Sequence, residues 1–171
     1  ISGQSDADFP AEALAGDPTT IHVYLRDSYG NVVKEGNHES TIKFLLDGAE
    51  YSHSVEKNAV SGAYDLTFEA PRDVAQDYFV KIAVEVDNST TLDIVGTAEG
   101  HKLNVVPNNA VPQNSVFVMA TEQTAGAVTI GVSGKDLYNN TAPMGPFTAV
   151  ASKIEGGEVS ETFVGVMQAA A

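Results

Sequence analysis

His22, His38, His53 and His101 are the side chains best suited to proton transfer or metal ligation, and they lie in four separate segments. Acid–base catalysis needs such groups to converge in a pocket. A metal site needs several ligands brought together. His22 falls on the polar side of an alternating run, so a solvent-exposed ring is expected there and at the other three. Asp27 has no His or second acid at a fixed spacing, so it reads as a turn residue rather than a ligand or base. No GxSxG, HExxH, phosphate loop or dinucleotide fingerprint occurs. Ser and Thr are many, but none has a base nearby in sequence. Gly156-Gly157 reads as a hairpin turn, not a phosphate cradle. The expectation is a non-enzyme with no cofactor and no metal. One covalent chemistry does have its motif. Asn88-Ser89-Thr90 and Asn139-Asn140-Thr141 make Asn88 and Asn139 candidate N-glycosylation acceptors, both in predicted exposed turns.

The charge balance narrows the partners. Nine basic against 23 acidic residues give a formal net charge of −14. Phosphate binding needs clustered Lys and Arg, so nucleic acid is not expected, nor is unassisted docking on anionic membranes. The acids are scattered and show no calcium-loop alternation; solubility is the plain reading of the charge. There are no cysteines, which removes disulfides, thiolate zinc sites and cysteine nucleophiles together. That does not fix the compartment, because a domain of about 100 residues needs no staple. No run of 18 apolar residues occurs, so no insertion into a membrane is expected. Few Lys and Arg, many Ser, Thr and Asn, and the two sequons tilt the reading toward an extracellular, cell-surface or flagellar-surface setting over the cytoskeletal cytoplasm.

The elements behind these residues are strands. Period-2 alternation recurs in short runs bounded by Gly, Pro, Asn and Asp. In 19–27 Ile21, Val23 and Leu25 share a face; in 41–46 it is Ile42, Phe44 and Leu46. Asp47-Gly48 then opens a hairpin turn, with 51–57 returning. Runs at 63–69, 78–87 and 101–107 follow, each with one apolar face. Such strands bury their faces as two packed antiparallel sheets, so the predicted fold is an all-β, antiparallel, immunoglobulin-like sandwich. Residues 71–77 are the one helix-like candidate, a single turn at most.

The stretch 105–115 carries two prolines and three asparagines and reads as a linker, after which the pattern restarts. Thr20, Ile21, Val23, Asp27, Tyr29 and Asn31 recur as Thr129, Ile130, Val132, Asp136, Tyr138 and Asn140, all 109 residues on. Gly36 recurs as Gly145, and Ala15-Gly16 as Ala125-Gly126 with an offset of 110. This is an internal repeat. The expected organisation is a complete repeat over 1–107, a linker over 108–114, and the first part of a second repeat over 115–171. Half a sandwich leaves one sheet uncovered, so the chain is expected to be an excerpt of a longer array. Asp27, Gly30 and Asn31, and Asp136, Asn139 and Asn140, are the markers of one turn written twice, with Asn139 in place of Gly30 as the other residue that tolerates positive φ.

The blocks "AGDPTTIHVYLRDSYGN", "SGAYDLTFEAP", "DYFVKIAVEVDN" and "VGTAEGHKLNVVP" together resemble the filamin-type immunoglobulin-like repeat of actin-crosslinking rods. That family reads AGxPxxFxVxxxDxxGN, then DGxYxVxYxP, then GxYxVxV ending in IxGSPF. "VGTAEGHKLNV" departs from the last signature, and Gln76-Asp77 stands where a Gly precedes the Tyr. The resemblance implies a structural spacer whose partners are neighbouring repeats and other proteins, including self-assembly into a fibre. It also implies peptide binding by strand addition beside the third strand, toward the fourth. Here that is the edge marked by Thr41, Lys43 and Leu45, facing 51–57, with Leu45 expected to be exposed. Repeats of this type also occur in surface proteins of protists and algae, so an adhesion or surface-appendage glycoprotein is the third expectation.

Overall fold

The structure, a computed structural model, describes residues 1–2, 4–87, 90–94, 100–119, 130–145, 147–155 and 158–167. Asn88, Ala125-Gly126, Thr129 and Gly156-Gly157 lie outside the described residues. The chain divides into two compact units, Ile1–Val106 and Pro107–Ala171.

The first unit is an all-β sandwich. One sheet runs β1 (Asp6–Asp8), β3 (Pro18–Tyr24), β7 (Tyr64–Glu69) and β6 (His53–Lys57). The other runs β10 (His101–Leu103), β8 (Tyr78–Asp87), β4 (Ile42–Leu46) and β5 (Ala49–Glu50), with β9 (Thr90–Asp93) also on β8. All pairs within these sheets are antiparallel. This is the strand order of an immunoglobulin-like sandwich. A last strand changes sheets: β11 (Val105–Val106) leaves β8 and pairs parallel with β2 (Ala13–Leu14). The break falls at Asn104, whose carbonyl instead accepts the Ala13 N–H at 2.9 Å.

The alternation places the core as read. Ile21, Val23, Leu25, Phe44, Tyr64, Leu66, Val80, Ile82 and Val84 are fully buried. Phe44 and Phe68 meet across the two sheets with ring centroids 4.5 Å apart. Val86, on the same face as Val84 by alternation, is instead 44 % exposed, since the pairing of β8 with β9 shifts register between Glu85 and Asp87 and leaves Val86 without a partner in the ladder. The turn at Asp47-Gly48 has φ of 51° and 81°, the doubly positive pattern of a two-residue hairpin turn. Residues 71–77 form no helix. Asp73 accepts the Ala75 N–H at 2.8 Å and the Gln76 side-chain amide at 2.9 Å, which holds a bend instead. Thr41 lies in a short 3-10 turn, Glu39–Thr41, ahead of β4 rather than on its edge. Its hydroxyl donates to His38 O at 2.8 Å.

In the second unit β12 (Val116–Met119) pairs antiparallel with β13 (Ile130–Ser133). β14 (Phe147–Glu155) pairs antiparallel with β15 (Glu158–Met167) along their whole length. The stretch read as a linker is hydrogen-bonded into this unit. Val111 N–H donates to Lys135 O at 2.7 Å, and the Asn114 side chain donates to Asp136 O at 2.8 Å.

Candidate functional site

Asp27 follows the buried strand end at Leu25 and opens a turn. Its Oδ1 accepts the backbone N–H groups of Tyr29 and Asn31, both at 2.9 Å, and its Oδ2 accepts the Asn31 side chain at 3.1 Å. Its carbonyl accepts the Gly30 N–H at 3.1 Å, and Arg26 and Val32 bridge the base of the turn. Gly30 sits at φ 85°. The Asn31 side-chain and backbone amides, with the Tyr29 N–H, hold the Asp27 carboxyl below its ordinary 3.8.

Asp136 repeats this geometry. Its Oδ1 accepts Tyr138 N–H at 2.9 Å and Asn140 N–H at 2.8 Å, and its Oδ2 accepts the Asn140 side chain at 2.8 Å. Its carbonyl accepts Asn139 N–H at 3.1 Å, Lys135 and Thr141 bridge the base, and Asn139 takes φ 70°. Asp136 is fully buried. Burial pushes its carboxyl up, but the Asn140, Asn108 and Tyr138 donors outweigh that and leave it below 3.8. The chain before each turn anchors it in the same way. Ser2 N–H donates to Arg26 O at 2.7 Å, and Arg26 N–H donates to Ser5 Oγ at 3.0 Å. In the second unit Val111 N–H donates to Lys135 O at 2.7 Å, and Lys135 N–H donates to Ser115 Oγ at 3.3 Å. The first residues of the chain therefore have counterparts in the stretch before β12, with Val111 in the place of Ser2 and Ser115 in that of Ser5.

The β4 edge is the second candidate. β8 covers one side of β4. On the other, β5 pairs only with Leu45 and Leu46. The Phe44 carbonyl accepts Tyr51 N–H at 3.0 Å, so the backbone of Ile42 and Phe44, not of Lys43 and Leu45, faces that side. Lys43 and Leu45 lie opposite Ala83 and Lys81 of β8, and Leu45 is half-buried, not exposed. β6 then departs to pair with β7. An open cleft of about 960 Å³ lies where they diverge, lined in part by Tyr51, His53, Phe68, Glu69, Arg72 and Tyr78.

The histidines do not converge. His22 is exposed as expected, and its Nδ1 lies 2.7 Å from Asp65 Oδ1 on the outer face of the first sheet. His101 is exposed and stacks on Phe9 at 3.8 Å. His38 and His53 are half-buried, contrary to expectation. His38 meets the Tyr64 ring edge-on at 6.2 Å. His53 packs on Phe44 and lies 2.7 Å from Tyr51 O and 3.3 Å from Ile42 O. Both oxygens only accept, so a neutral imidazole serves one at a time. His53 therefore stitches the open part of the β4 edge. Among the described residues no group of three or more His, Cys, Asp or Glu is placed to hold a metal ion. No family model matches the chain, and no curated protein matches it.

Proposed function

We propose that the chain is a non-enzymatic spacer and interaction segment, built of tandem filamin-type sandwiches within a longer fibrous or scaffold protein. The observation that carries this reading is the second turn, in which Asp136 accepts from the residues 109 positions beyond those that Asp27 holds. The hairpins agree. Leu46 pairs with Ala49 across the first, and Glu155 pairs with Glu158 across the second, again 109 residues on. Repeats of this kind each contact their neighbours and set distance along a line. Small-angle scattering on the chain carrying further copies is expected to give an elongated particle, its length growing by a constant increment per copy. A compact globule overturns the reading.

A second reading, strand addition at β4, is favoured by a difference between the two hairpins. β14 is paired along its whole length by β15, whereas β5 covers only two residues of β4. Phe44 O is held by the Tyr51 N–H and Ile42 O lies against His53, so an added segment displaces these two contacts and gains main-chain pairing in return. A synthetic peptide of residues 158–167 is the probe. Amide resonances of Ile42 and Phe44 are expected to shift on its addition; unchanged Ile42 and Phe44 signals rule this reading out.

A further inference from the structure

We infer that Asn139 is an N-glycosylation site, and that the second copy of the aspartate turn is shaped to carry the sugar. Asn139 is exposed at the tip of the turn, and its side-chain amide has no hydrogen-bond partner among the described residues. The side chains of Asp136 and Asn140 are instead used within the turn. The Asp136 carboxylate accepts from Tyr138, Asn140 and Asn108, and Asn140 spends its side chain on Asp136. Thr141, the hydroxyl residue of the sequon, is exposed and receives only the Lys135 ammonium, at 2.9 Å.

Comparison of the two turns separates what the backbone demands from what the side chains add. Ser28, Gly30 and Val32 of the first copy stand where Leu137, Asn139 and Thr141 stand in the second. The backbone is the same, with φ 85° at Gly30 and φ 70° at Asn139, so this position takes Gly or Asn, and Thr141 is not needed to make the turn. Two of the exchanges create an acceptor and its hydroxyl. The third puts a leucine that is 63 % exposed two residues before the acceptor. The apolar face of an N-acetylhexosamine linked to Asn139 would cover this leucine.

The transfer is balanced by a lipid-linked diphospho-oligosaccharide as donor. The bond between Asn139 Nδ2 and the sugar C1 forms as the C1–O bond to the diphosphate breaks. The lipid diphosphate leaves with the electron pair, and the amide proton passes to a base. The donor and enzyme belong to a secretory pathway, so the inference rests on the surface setting. It is independent of the spacer reading, which scattering tests.

The test is peptide mapping by mass spectrometry of the chain secreted from a eukaryotic host. The peptide holding Asn139 is expected to carry hexosamine-containing glycan, removed by amidase treatment that converts Asn139 to Asp. Thr141→Ala and Asn139→Gly are expected to abolish it, and Thr141→Ser to retain it. Asn139→Gly restores the first copy's own residue, so the fold is kept. Secreted chain in which Asn139 is unmodified overturns the inference, whether or not Asn88 carries glycan.

Discussion

Asp27 and Asp136 each gather the backbone of a whole turn onto one carboxylate, and this makes both turns acid-sensitive. Each folded-state pKa lies below the ordinary 3.8. The stabilisation is therefore present above 3.8 and is lost as pH falls through the lower folded value. Tyr29 and Asn31 amide resonances are expected to hold their positions down to about pH 4 and to move below it. Asp27→Asn should remove that acid transition while leaving the one at Asp136. The residue exchange between the copies gives a second expectation. Gly30→Asn should cost less than about 1 kcal/mol, since Asn tolerates the left-handed region, and Gly30→Val clearly more. Urea midpoints separate the two. The Asp–x–Tyr–x–Asn spacing made these turns legible in the sequence. The anchoring by Ser2 and Ser5 was not, because Val111 replaces Ser2 and Ser115 falls 110, not 109, residues beyond Ser5.

Strands were legible wherever one face is apolar and the other polar, as at β3, β4, β7 and β8. β1, β2, β5 and β9 were missed. Asp6–Asp8 has no apolar alternation, β2 is two residues long, and Thr90–Asp93 is a polar strand on an edge. Sheet membership was less legible still. Residues 51–57, expected to return beside β4, do not pair with it: β6 pairs with β7, and only Tyr51, through its N–H to Phe44 O, still reaches β4. Pattern gives a strand its faces, not its neighbour. The inter-sheet contact of Phe44 with Phe68 yields an energetic expectation: Phe44→Ala should destabilise the first unit by about 3–5 kcal/mol. A loss under about 1 kcal/mol by urea unfolding would contradict a core centred there. Gly48→Ala isolates backbone strain, because a Cβ there meets nothing within 4 Å. The expected cost is about 1–2 kcal/mol, all of it from φ.

At the scale of the molecule, the repeat spacing of 109 residues was visible in side chains, and the same spacing governs the backbone of both turns and both hairpins. The net charge of −14 makes separate chains repel one another, so added salt is expected to weaken the interparticle repulsion seen in scattering. Within the first unit, the parallel pairing of β2 with β11 joins strands from its beginning and its end. The Ala13 N–H to Asn104 O and Ala15 N–H to Val106 O bonds, both 2.9 Å, tie these strands together. Pulling the two ends of the unit apart slides these parallel strands past each other. Their bonds then share the load in shear and break together, rather than peeling one at a time. A unit fastened in this way resists a stretch along the chain far better than it resists the same force applied across its sheets.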